Sequence, residues 1–119
     1  MKCREEILRN QKNFNNVYRK GSSKGSRYVV VLYRKNRLSV TRIGFVASKK
    51  VGNSVCRNRA RRLMRESVRT MDFTLKPGYD IILVARNSIN GHKCQDVQNT
   101  LIKALKSCDL VENRSDKQQ

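Results

Sequence analysis

Polar and apolar positions along this chain follow two rhythms. Tyr28-Val29-Val30-Val31-Leu32-Tyr33 is a continuous β-branched and aromatic block, which predicts a strand. Ile43-Gly44-Phe45-Val46-Ala47 follows a polar turn at Asn36–Ser39 and predicts a second strand, paired with the first as a hairpin. Tyr79 to Arg86 is apolar at consecutive positions from Ile81 to Ala85, the pattern of a strand buried on both faces. Elsewhere the period lengthens to that of a helix. Ile7, Leu8 and Phe14 fit a helical stripe, and Phe14 and Tyr18 are four apart on one face; together they predict a short N-terminal helix within 5–19, ending before Gly21. Val97, Leu101, Ile102, Leu105 and Cys108 space as an amphipathic helix. Residues 20–26 read as a flexible loop, and Lys76-Pro77-Gly78 and Asn87–Gly91 as breaks.

The remaining periodic stretch is the most informative. From an N-cap at Asn53 or Ser54, a helix is predicted to about Met71. Ala60, Leu63, Met64, Ser67, Val68 and Met71 fall on one side of a wheel turned about 100° per residue, and Asn58, Arg61, Arg62, Arg65 and Arg69 on another. Arg57 and Arg59 flank the two zones. Residues 57–69 hold six arginines against one carboxylate, Glu66. Arg57/Arg61, Arg61/Arg65 and Arg65/Arg69 are like-charge i,i+4 pairs, each costing roughly 0.2–0.5 kcal/mol. Positive charge in the first turn also opposes the helix dipole. A polyanion offsets such a penalty, so the arginine face points to nucleic acid.

The elements run α-β-β-α-β-α and imply an α+β fold, a small α/β sandwich with one sheet and helices packed against it. A single domain is expected over residues 1–111, with a polar, frayed tail at 112–119. The 119 residues suffice for one compact domain. Lys and Arg number 27 against 9 Asp and Glu, a formal charge of +18, more than solubility asks of a small domain. The four cysteines, Cys3, Cys56, Cys94 and Cys108, form no C-x-x-C pair, and His92 near Cys94 gives only half a zinc site, so no metal ligation is expected. The start of the chain has no apolar run and no stretch spans a bilayer, so the expectation is a cytoplasmic protein without a membrane partner.

Catalysis by the polypeptide finds little support. There is one histidine, no glycine-rich phosphate loop, and the carboxylates are scattered. Asp72 and Asp80 alone do not make a metal-dependent nuclease. Arginines, by contrast, grip phosphates through charge-assisted bonds. Phe14 and Tyr18 could stack unpaired bases, at about 1–3 kcal/mol each, although Phe14 serves equally well as core.

The run Lys49-Lys50-Val51-Gly52-Asn53-Ser54-Val55-Cys56-Arg57-Asn58-Arg59-Ala60-Arg61-Arg62-Leu63-Met64-Arg65-Glu66 resembles the bacterial ribonuclease P protein family. Its Arg-Asn-Arg signature, followed by x-[KR]-R-L-x-R, is long and chemically unusual. Phe14-x-x-Val17-Tyr18-x-x-Gly21 and Gly78 to Arg86 extend the likeness in the same order and spacing.

The resemblance implies a fold like the second domain of ribosomal protein S5, with a left-handed crossover between strands near 41–48 and 79–86. It implies a protein cofactor in a ribonucleoprotein endoribonuclease that removes the 5′ leader of precursor tRNA. A catalytic RNA with Mg²⁺ performs the hydrolysis, so no catalytic residue and no protein-bound cofactor are expected. The implied partners are that RNA and leader-bearing precursor tRNA, with no protein partner required. By the same resemblance, Arg57, Arg59 and Arg62 meet the RNA. Asn58, Arg61 and Arg65 line the leader side of the helix, with Phe14 and Tyr18 opposite. Lys49, Lys50 and Arg86 contact backbone, and Arg69 continues the basic face. The family's strand aromatic in the cleft is Leu32 here, with Tyr33 beside it on the other side of the strand. A ribosomal-type binder of structured RNA and a duplex-DNA binder use the same comb and remain alternatives. Substrate form separates them: a preference for leader-bearing precursor, for ribosomal RNA, or for duplex DNA.

Overall fold

A computed structural model describes residues 5–113 of the chain. Cys3 and most of the expected tail lie outside them. The elements are β1 (Glu5–Ile7), α1 (Gln11–Lys20), β2 (Ser22–Gly25), β3 (Val29–Lys35), β4 (Thr41–Val46), α2 (Ser54–Thr70), β5 (Phe73–Leu75), β6 (Tyr79–Ala85), α3 (Cys94–Ser107) and β7 (Val111–Asn113), with a 3-10 turn at Asn87–Ile89. The mixed α+β architecture is as expected, and all three helices occur in the predicted order.

The strand order β1-β4-β6-β3-β2 corrects the hairpin expectation. β3 and β4 do not pair. β6 lies between them, antiparallel to β3 and parallel to β4. Its apolar run explains this: Ile81, Ile82 and Leu83 are each fully buried, which only a central strand with both faces covered allows. The Asn36–Val40 connection therefore crosses the start of β6, and Asn36 N–H donates to the Gly78 carbonyl at 2.9 Å.

Alternation along these strands makes three layers. Val29, Val31, Ile43, Ile81, Leu83 and Ala85 face α2 and α3, meeting Ala60, Met64, Val68, Val97, Leu101 and Leu105. Ile82 faces the other way, onto Leu8 and Val17, with Leu32, Val46 and Val84 beside it. α1 thus covers one sheet face, and α2 and α3 the other.

The remaining differences have local causes. The predicted N-terminal helix is split: Glu5–Ile7 pairs in parallel with Thr41–Ile43, and α1 starts only after Asn10, whose side chain accepts from Lys12 N–H at 2.9 Å. The expected loop at 20–26 contains β2, whose wholly exposed Ser-Ser-Lys-Gly has no strand propensity and is held by pairing with β3. A second, two-stranded sheet joins β5 to β7, so Glu112 and Asn113 belong to a strand and not to a frayed tail.

Candidate nucleic-acid interface

α2 is built as its wheel predicted. Asn53 caps it, its side chain accepting from Cys56 N–H at 3.0 Å. Gly52 precedes the cap at φ 144°, a conformation side chains rarely adopt, and an added Cβ would sit 3.0 Å from Cys56 Cβ. Ala60, Met64, Ser67 and Val68 are buried, and Ser67 Oγ donates to the Leu63 carbonyl at 2.7 Å.

Each arginine of the helix has its own setting. Arg57 donates to Ser54 Oγ at 3.1 Å, with its Nε buried and unpartnered. Arg59 donates to the His92 carbonyl at 2.7 Å, tying α2 to the segment that enters α3. Arg61 donates to the Asn58 side-chain carbonyl. Arg65 lies over the Phe45 ring, 5.4 Å from its centroid. Arg69 pairs with Glu66, the helix's one carboxylate, which raises the Arg69 pKa. Arg62 is exposed. Lys49 and Lys50 are exposed on the turn that feeds the helix, where Gly52 N–H donates to the Lys49 carbonyl at 3.2 Å.

The structure brings Asn58, Arg61 and Arg65 to one side of α2, as expected. It does not bring Phe14 and Tyr18 to them. Phe14 packs with Leu8, Val17 and Ile82, and its Cζ would lie 2.7 Å from a Cβ placed on Gly44. Gly44 and Phe45 are neighbours on β4, so Phe14 and Arg65 lie on opposite sheet faces. These residues therefore lie on two surfaces: half-buried Phe14 packs against the core, and half-exposed Tyr18 accompanies it on α1. Partial burial raises the Tyr18 hydroxyl pKa. Leu32 shares the Phe14 face. Tyr33 points to the α2 and α3 side, where a hydrogen bond with Cys108 and burial raise its pKa. No aromatic of β3 therefore joins Phe14.

Arg86 sits where β6 ends, donating to the Ser26 carbonyl at 3.0 Å. Because β4 and β6 are parallel, this is the sheet end from which Lys49 and Lys50 lead into α2, and Asn90 bridges to the Val51 carbonyl at 2.7 Å. Among the described residues no three His, Cys, Asp or Glu side chains converge as a metal site, and no helix is long and apolar enough to cross a membrane.

A compact α+β domain with one helix face of guanidiniums and a formal charge of +18 is a small RNA-binding protein. The Ribonuclease P family model matches residues 2–109, and the chain belongs to that family. It is 43% identical over 108 residues to the ribonuclease P protein component of Clostridium botulinum (strain Langeland), covering 90% of this chain and 97% of the relative. Its fold is similar to the Staphylococcus aureus RNase P protein (TM-score 0.74, 30% identity, 92% of this chain and 98% of that one). It is also similar to the Thermotoga maritima RNase P protein (TM-score 0.75, 30% identity, 86% and 96%).

Proposed function

We propose that this chain is the protein cofactor of a cytoplasmic ribonuclease P ribonucleoprotein, which cuts the 5′ leader from precursor tRNA. The observation that carries this reading is the family's Arg-Asn-Arg signature on a solvent-facing helix, with Arg57 and Arg59 resting on neutral partners. Arg57, Arg59 and Arg62, with Arg69, Lys49, Lys50 and Arg86, supply positive charge toward the catalytic RNA. Asn58, Arg61 and Arg65 face the single-stranded leader, and Tyr18 offers a stacking ring from the other sheet face. The protein raises affinity for leader-bearing substrate and screens RNA–RNA repulsion.

Hydrolysis belongs to the RNA and its Mg²⁺. The side chains of the described residues do not fit a protein-held Mg²⁺, because their carboxylates are dispersed and engaged. Both Asp80 oxygens accept from Arg42, Asp109 pairs with Lys76, and Asp96 with His92.

Reconstitution tests the reading. Adding this protein to a ribonuclease P RNA at low magnesium should restore correct cleavage of precursor tRNA, and leader-bearing precursor should bind the complex tighter than mature tRNA. Equal binding of the two would favour a ribosomal-type role, and cleavage by the RNA-free polypeptide would refute the assignment of catalysis to RNA.

A further inference from the structure

The connection from β6 into α3 is fastened first to the sheet. Arg86 N–H donates to the Tyr28 carbonyl at 2.9 Å, and Arg86 Nη1 to the Ser26 carbonyl at 3.0 Å. Ser88 Oγ donates to the Arg27 carbonyl at 2.6 Å. Ile89 is fully buried, and the His92 ring lies tilted against buried Tyr28, with centroids 4.3 Å apart. Residues 86–92 are thereby anchored to the corner that joins β2 to β3.

Two bonds then pass from this anchored segment to the start of α2. The Asn90 side-chain amide donates to the Val51 carbonyl, and the His92 carbonyl accepts from Arg59 Nη2, each at 2.7 Å. Val51 precedes the Asn53 cap and Arg59 follows the first turn, so the pair brackets the beginning of the helix. Between Asn90 and His92, Gly91 stands at φ 82°, a left-handed conformation that side chains resist. A Cβ added there would meet nothing within 4 Å, so the backbone alone calls for glycine. Further along, α2 has a different support: Gln98 of α3 donates to the Ser67 carbonyl at 3.0 Å and to Thr70 Oγ1 at 2.9 Å. The strap at 90–92 therefore holds the end of α2 that carries Arg57 and Asn58. Asn90 is itself exposed, so its amide serves the Val51 bond rather than core packing.

We propose that Asn90 is a positioning residue for RNA binding: with the Arg59–His92 bond as a second strut, it fixes the pitch at which the first turns of α2 present Arg57, Asn58 and Arg61. The inference rests on the reading of α2 as the RNA-facing helix, and it adds to that helix a residue that touches no RNA. A helix secured at one end only frays and tilts at the other, and its guanidiniums then meet phosphates from a spread of directions. Ordering them beforehand removes that cost from binding. Arg59 keeps its charge while one of its nitrogens holds the strap.

The test compares the full chain with N90A and G91A, free and with a bacterial ribonuclease P RNA. In the free protein, amide hydrogen exchange at Cys56 and Arg57, whose N–H groups bond to Asn53, should quicken about tenfold in both variants. Exchange at 64–68 should stay as in the parent. RNA affinity, read by filter binding across a KCl series, should fall about threefold or more in both. The salt slope should not change, because no phosphate contact is lost. In an R57Q/N58A background the further loss from N90A should largely vanish. Parent-like exchange at Cys56 and Arg57 in either variant, equal quickening through 64–68, or full RNA affinity in N90A would overturn the proposal. An undiminished N90A loss in R57Q/N58A would overturn it too, by making Asn90 an RNA contact in its own right. A parent that does not bind this RNA refutes the proposed function, whereas the exchange measurement answers for the strap without RNA.

Discussion

Replacing Arg42 by methionine should destabilise the fold by about 2–3 kcal/mol. The side chain holds β4 to β6 through two bonds of 2.7 Å to Asp80, a carboxylate only 8% exposed. Charge-assisted bonds of this kind contribute roughly 1.5–3 kcal/mol. Stripping one partner from a buried pair costs about 3–5 kcal/mol, because a charge is left behind. Two features pull the figure to the lower side. Arg42 is itself 23% exposed, so water reaches the pair, and Asn36 would still donate to Asp80. At about 4 °C per kcal/mol for a domain of this size, the melting temperature should fall by roughly 8–12 °C. Urea denaturation measures the free energy directly. The double variant R42M/D80L removes both charges and should return to within about 1 kcal/mol of the parent, since an apolar pair of similar volume replaces a buried ion pair at little cost. Should R42M alone lie within 0.5 kcal/mol of the parent, the pair is not what joins the two strands, and the reasoning fails.

Gly44→Ala puts a methyl 2.7 Å from Phe14 Cζ and should cost about 1–3 kcal/mol, with Phe14→Leu recovering part of it in a urea double-mutant cycle; simple additivity would deny the contact. Arg61→Ala with Arg65→Ala should weaken RNA binding far more than folding, because the Arg65 contact with Phe45 is worth only about 0.5–1 kcal/mol; a lowered melting point with unchanged RNA affinity would contradict this. Tyr33 has its pKa raised above 10.0, so the folded state holds its proton longer than the unfolded chain does. That contribution is complete below about pH 10 and is lost as pH rises through the folded value, so Tyr33→Phe should flatten the alkaline fall in melting temperature. Asn58→Asp should relieve repulsion on α2 by roughly 0.2–0.5 kcal/mol per arginine pair and yet lower RNA affinity; a gain in both would refute the electrostatic account.

Elements that carry their own physical signal were legible in the chain. The α2 wheel sorted Ala60, Met64, Ser67 and Val68 to the buried side because period and chemistry agree there. β6 announced a two-sided burial through its unbroken apolar run, yet its place between β3 and β4 stayed hidden, since nothing local says which neighbour a central strand takes. β2 has no propensity of its own and β7 only the one β-branched Val111, so both exist through pairing with β3 and β5. The split of the N-terminal segment was half visible: Asn10 is a recognisable cap, but Ile7 and Leu8 fit a helical stripe as well as they fit a strand. For the site, the shared face of Asn58, Arg61 and Arg65 follows from helix geometry alone. The face of Phe14 depends on which way α1 docks, and that is settled by contacts with Gly44 and Ile82 from distant parts of the chain.

The arginine comb shows how a self-repelling helix is kept ready for a polyanion. Among the described residues, Arg69 is the one arginine along 57–69 that meets a carboxylate. Arg57, Arg59 and Arg61 rest on a hydroxyl, a main-chain carbonyl and a side-chain amide, and Arg65 on an aromatic ring. Neutral partners orient a guanidinium without cancelling its charge, so the field survives outside the helix. Carboxylate partners would steady the helix better, but each would have to be displaced or repelled when phosphate arrives. The same division of labour recurs across the sheet. There Asp80 is spent on Arg42, which locks two strands, and Arg34 beside it makes no ion pair among the described residues. In both places the acids among the described residues stabilise the scaffold, and the cations that face solvent keep their charge.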